Sequence, residues 1–141
     1  MKSLKTKTED GITYVYDIIR KKYLVLTPEE KVRQTFLHFL VSELGFPASL
    51  IRTELGTRYH ALAKRTDILV FDKTGQPYML VECKAADVKI SAKVIEQASR
   101  YNRTLKAPYL CVTNGRNTYC FRIDFESGDT TQLESLPNPG L

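Results

Sequence analysis

The sequence predicts an α/β fold, with helices packed on a mixed β-sheet. Three observations carry that expectation. The 141 residues are 43% hydrophobic and 26% charged, close to the average of a globular chain about one domain long. Two segments, opening at Thr27 and at Ser91, repeat their apolar residues at helical spacing. Short β-branched and aromatic runs, separated by turn signals, surround them in the order helix, three strands, helix, two or three strands. Elements in that order pack as layers.

Taken in order, residues 1–11 read as a loose basic tail, 12–135 as one domain and 136–141 as a frayed end. Ile12–Tyr16 alternates and reads as a strand, and residues 17–26 as a basic-apolar connection. Thr27 is then an N-cap, with Pro28 at the first helical position and Glu30 completing a capping-box pattern. Val32, Phe36, Phe39, Leu40 and Leu44 form the apolar stripe of that helix. Gly45 and Pro47 end it. Strands are expected at 51–55, 65–72 and 77–84, with 56–63 a loop and 73–76 a turn. The second helix spans 91–106 on the stripe Ile90, Val94, Ala98, Tyr101, Leu105. Strands at 109–113 and 117–123 flank the turn signal Asn114-Gly115, and a short one is expected at 130–133.

Composition excludes several classes. No apolar run approaches the ~20 residues of a membrane helix. The lysines of Met1–Lys5 lead into no apolar core, so no secretory signal is expected. Three cysteines without C-x-x-C spacing suggest neither a zinc site nor a disulfide framework. The expected compartment is the reducing cytoplasm. Cys111 and Cys120 face each other across the 114–117 turn and are expected as two reduced core thiols. There is no phosphate-binding or dinucleotide-binding glycine motif, no nucleophile elbow, and His38 and His60 form no metal-type pair. Chemistry must therefore rest on carboxylates, lysine and metal. The excess of 21 Lys and Arg over 16 Asp and Glu, a net +5, suits a polyanionic partner.

The segment 65–84 concentrates the acidic chemistry. With 73–76 as the turn, Asp67 is set directly opposite Glu82, where Cβ atoms lie about 4.5–5.5 Å apart. Glu82 and Lys84 share that face, while Cys83 turns to the other with Val81 and Met79. Opposed like charges on central strands need a cation. Lys84 is one. A divalent ion held by a few hard oxygens and several waters is another, which is the Mg²⁺ pattern. The other reading is an ion cluster of Asp67, Glu82, Lys84 and Arg65 at a solvated edge. A five-residue turn would send Asp67 to the opposite face.

These residues resemble a known family. Asp67 followed by Glu82-Cys83-Lys84 is similar to the motif of the PD-(D/E)xK nuclease superfamily, and Gln97 to Tyr101 resembles the Q-x-x-x-Y motif of its RecB-like branch. Asp17 to Gln34, and Val112 to Gly115, resemble the N-terminal nuclease domain of type I restriction enzyme R subunits. The likeness covers about residues 12–123, with Thr66 where the superfamily name has proline.

The resemblance implies a restriction-endonuclease-like core and a metal-dependent endonuclease of restriction or repair type, hydrolysing DNA phosphodiester bonds with Mg²⁺ or Mn²⁺. It makes Asp67 and Glu82 metal ligands together with the Cys83 carbonyl. Lys84 becomes the catalytic lysine, and Gln97 joins the site at its rim with Tyr101 packed behind. Glu30 matches the first-helix acid that supports the metal, although the capping box accounts for Glu30 equally well. The R subunits carry a helicase motor after this domain. The sequence shows none, so a helicase or restriction-modification partner is expected, and a homodimer for cutting both strands. Arg20, Lys21, Lys22, Lys89, Lys93, Arg100 and Arg103 are candidates for phosphate contacts. The alternatives are a non-catalytic nucleic-acid-binding module, or a structural subunit, on the same fold.

Overall fold

The computed structural model describes residues 4–53 and 68–139. The chain opens with a small antiparallel sheet of β1 (Thr6–Glu9), β2 (Ile12–Asp17) and β3 (Lys22–Val25). The expected loose tail is therefore a strand from Thr6. Asp10 and Gly11 both take positive φ, 51° and 76°. That is the two-residue turn whose twist matches paired strands, and it folds β1 back onto β2. The expected connection after Asp17 likewise contains β3. Asp17 closes the intervening turn by accepting from the backbone N–H groups of Ile19 and Arg20.

Helix α1 (Pro28–His38) begins as its caps require. Thr27 Oγ1 accepts from the Glu30 N–H at 3.0 Å, and Pro28 sits in the first turn. A wide helical turn, Phe39–Glu43, follows, and Gly45 at φ 78° ends it, with the Phe46 N–H donating to the Leu40 carbonyl. The apolar stripe is rotated from its expected position. Arg33 and Gln34 are buried beside Leu37 and Leu40, which turns Phe39 outward to 38% exposure.

The main sheet has the order β4-β5-β6-β7-β8-β9: β4 (Ile51–Thr53), β5 (Ile68–Phe71), β6 (Pro77–Cys83), β7 (Tyr109–Thr113), β8 (Thr118–Ile123) and β9 (Thr130–Leu133). β6 and β7 run parallel and the other neighbours antiparallel, so the sheet is mixed as expected. Helix α2 (Ala92–Leu105) is the crossover between the parallel pair. Ser91 caps it by accepting from the Val94 N–H, and Lys106 at φ 57° terminates it. Buried Asn102 then fixes the exit, donating to the Ala107 carbonyl and accepting from the Ala107 N–H.

Strand alternation sorts the core into two layers. Met79, Val81 and Cys83 pack with Val32, Leu37 and Leu40 on the α1 side. Leu80, Leu110 and Val112 pack with Ala98, Tyr101 and Leu105 on the α2 side. The expected frayed end is tied down as far as residue 138. Leu136 packs on the α1-side core, and Tyr78 Oη donates to the Asn138 carbonyl at 2.6 Å. Cys111 and Cys120 are directly opposed, with sulfurs 2.9 Å apart, and both are free thiols, as the sequence leads one to expect. Among the described residues no helix is long and apolar enough to cross a membrane.

Candidate active site

The β5–β6 hairpin sets the site. Ile68, Leu69 and Val70 pair with Val81, Leu80 and Met79, the register that a turn at 73–76 gives. Nearer the turn the pairing differs. Phe71 faces Pro77, with a bulge at Tyr78. Asp72 closes the turn from within, its N–H donating to the Gln76 carbonyl and its Oδ1 accepting from Thr74 N, Thr74 Oγ1 and Gln76 N. Pro77, which has no N–H to donate, is thereby left opposite Phe71. Asp67, Arg65 and Thr66 lie outside the described residues.

At the other end of β6, Glu82 is 4% exposed and points to the same face as Leu80, toward the α2 layer. Lys84 Nζ lies 3.3 Å from Glu82 Oε2, with only 14% of the lysine side chain exposed. Cys83 turns its thiol into the α1-side core and is fully buried there. The chain after β6 is pinned to the carboxyl end of β7. Lys84 N–H donates to the Thr113 carbonyl, and Asn114 Nδ2 donates to the Val88 carbonyl at 2.7 Å. α2 thus starts at the sheet end that carries Glu82 and Lys84.

On α2, Tyr101 is buried against the sheet and Gln97, one turn earlier, is exposed. Lys93, Gln97 and Arg100 fall at i, i+4 and i+7, along one flank of the helix. Arg100 pairs with Glu96. Lys89 is exposed in the loop before the helix, and Arg103 is exposed in its last turn. Arg20 and Lys21 lie in the β2–β3 turn and Lys22 opens β3, rather than extending the α2 flank.

Glu30 makes only half of the capping box. Its N–H donates to Thr27, but its carboxylate does not return to the cap. It pairs instead with Arg33 and accepts from Gln34 Nε2 at 3.0 Å. Arg33, with no exposed surface, also pairs with the fully buried Asp17 at 3.0 Å. This Asp17–Arg33–Glu30–Gln34 cluster was not singled out as a unit in the sequence. Its signal was present: Glu30, Arg33, Gln34 and Leu37 share the spacing of a buried helix face. Burial pushes the Asp17 carboxyl up. The backbone N–H of Arg20, the Arg33 guanidinium, the Ile19 N–H and the Gln34 amide outweigh it and hold Asp17 below the usual carboxylate value.

Among the described residues no three of His, Cys, Asp and Glu form a group able to hold a metal ion. Two cavities, of about 350 and 380 Å³, lie along α1 near Gly115, and neither is lined by Glu82, Lys84 or Gln97.

Residues 28–137, more than three-quarters of the chain, match the family described as type I restriction enzyme R protein N terminus (HSDR_N). The chain belongs to this family. Glu30, Glu82, Cys83, Lys84 and Gln97 all fall within the matched residues, as does Asp67. β1, β2 and β3 precede them. Membership places the chain in a restriction-related context. No curated protein and no solved structure matches it.

Proposed function

We propose that this R-protein N-terminal domain is a metal-dependent endonuclease of the PD-(D/E)xK type that hydrolyses DNA phosphodiester bonds. The observation that carries this reading is the Glu82–Lys84 pair: a buried carboxylate and a lysine 3.3 Å apart at the carboxyl end of a central strand. The donor chemistry suits Mg²⁺ or Mn²⁺. Glu82 offers carboxylate oxygen, and Cys83, its thiol turned away, offers a carbonyl oxygen. Asp67 is proposed as the second carboxylate ligand, and Glu30 as a supporting acid behind the Arg33 pair. When bound, the ion would supply charge neutralisation at the phosphate and a more acidic bound water.

The remaining work falls to the chain. Lys84, beside Glu82, aims its ammonium at the oxygens on which charge develops. Gln97 at the helix rim orients the scissile phosphate with its amide. Lys93, Lys89 and Arg100 contact flanking phosphates and hold the strand in place, with Arg20, Lys21 and Lys22 adding contacts from the β2–β3 turn and the start of β3. A helicase or restriction-modification partner would supply translocation, and a homodimer would cut both strands of a duplex, in the cytoplasm.

The test is incubation of the pure protein with supercoiled, linear and single-stranded DNA, in Mg²⁺, in Mn²⁺ and in EDTA. Cleavage of at least one form in metal and none in EDTA is the expected result. Binding without cleavage under every condition would leave a non-catalytic nucleic-acid-binding module instead.

A further inference from the structure

The outward face of the β1–β2–β3 sheet has an unusual composition. Strand register places Lys5, Lys7, Tyr14, Tyr16 and Tyr23 on one side, with Val15 and Asp17 on the other, buried toward α1. Tyr16 and Tyr23 are directly paired, their rings 5.3 Å apart and edge to face. Lys5 Nζ sits 4.8 Å from the Tyr16 ring centroid, and Lys7 Nζ sits 4.4 Å from that of Tyr23. Lys7 also pairs with Glu9 at 3.1 Å, the acid on this face. Ile12 and Val25, on the same side, are 45% and 51% exposed. Arg20 and Lys21 add positive charge in the turn next to the Tyr16–Tyr23 pair, while Lys22, paired with Asp17, belongs to the other side.

We infer that this face is a binding platform for a single strand of nucleic acid. Rings carried on a rigid sheet offer unstacked bases a surface without sequence preference, and each stacked base is worth about 1–3 kcal/mol. Lysines above the rings are placed to meet the phosphates between successive bases, and they give up only exposed cation–π contacts to do so. A duplex hides its base faces and gains nothing from the tyrosines. The sheet lies before the residues matched to the family, and Lys5, Lys7, Tyr14, Tyr16 and Tyr23 have no part in the cleavage proposed above. It would deliver an unpaired strand to the domain whether or not the domain cuts.

The probe is a fluorescein-labelled dodecamer of deoxythymidine, followed by anisotropy in EDTA so that no cleavage intrudes. Tyr14→Leu and Tyr23→Leu, which keep an apolar side chain but lose the ring, are each expected to weaken binding at least fivefold. Tyr14→Phe and Tyr23→Phe are expected to stay within twofold of wild type, with melting temperatures confirming the fold. Lys7→Ala is expected to lower the salt dependence of single-strand binding by about 0.7 in log–log slope. A duplex of equal length is expected to respond to Lys7→Ala but not to the leucine variants. Equal single-strand binding by wild type and leucine variants, or no binding by wild type, overturns the inference. Loss of binding in Glu82→Gln to the same extent would place the strand at the cleavage site and overturn it too. Absence of cleavage in metal would leave it standing.

Discussion

Arg33 has no exposed surface and stands between two carboxylates, Asp17 and Glu30, that reach it from different elements. Removing one member of a buried ion set leaves an uncompensated charge and costs about 3–5 kcal/mol. Arg33→Met is expected at the upper end, because it strands two carboxylates at once. Asp17→Asn, which keeps an oxygen for the Ile19 and Arg20 N–H groups, is expected at the lower end. Because folding lowers the Asp17 pKa below its ordinary 3.8, its contribution is present above that pH and lost as pH falls through the lower folded value. Melting temperatures of wild type and Asp17→Asn are thus expected to differ at pH 7 and to converge below about pH 3.8. Lys84 raises the same issue at the site. Lys84→Met removes a cation 3.3 Å from the buried Glu82 carboxylate, and about 1–3 kcal/mol is expected to go with it. Millimolar Mg²⁺ is expected to raise the melting temperature of wild type and Lys84→Met but not that of Glu82→Gln, since an ion that binds only the folded chain stabilises it. A rise in all three, or in none, would remove Glu82 from the metal site.

At the scale of elements, the β5–β6 hairpin was legible because its turn residues are specific. Gly75 takes φ 85°, and an added Cβ would meet nothing within 4 Å. Gly75→Ala is therefore expected to cost only the left-handed backbone strain, about 1–2 kcal/mol, read as a lower urea midpoint with unchanged slope. The three pairs nearest the site follow the expected register, while the bulge at Tyr78 reflects the capacity of Asp72 to close its own turn. α2 was legible from Ser91 to Leu105, and β9 at its expected position, since caps and alternation act locally. Of the first sheet, β2 was read at its place and β1 and β3 escaped. Asp10-Gly11 is a strong hairpin signal, but a Lys- and Thr-rich flank hides it, because β1 is exposed throughout and leaves no apolar alternation to read. The burial of Arg33 and Gln34 was equally invisible residue by residue. It depends on Asp17, which arrives from a separate strand.

Across the whole molecule, two helices cover opposite faces of a mixed sheet, and the Glu82–Lys84 pair at the end of β6 lies toward the α2 layer, where that helix begins. The face of Glu82, Lys84 and Cys83 was readable from period-two alternation alone. The separation of Arg20–Lys22 from the α2 flank was not, because it depends on how a second sheet is placed. Family membership gives the restriction context, and hydrolysis within it is the proposal that rests on the Glu82–Lys84 pair. The decisive measurement is nicking of supercoiled plasmid in Mn²⁺ by wild type and Glu82→Gln, purified in parallel, with DNA binding measured on the same preparations in EDTA. Cleavage by wild type, its loss in Glu82→Gln and equal DNA binding by both is the outcome this account requires. Equal cleavage by both proteins, or none by wild type in any metal while DNA is bound, would contradict it.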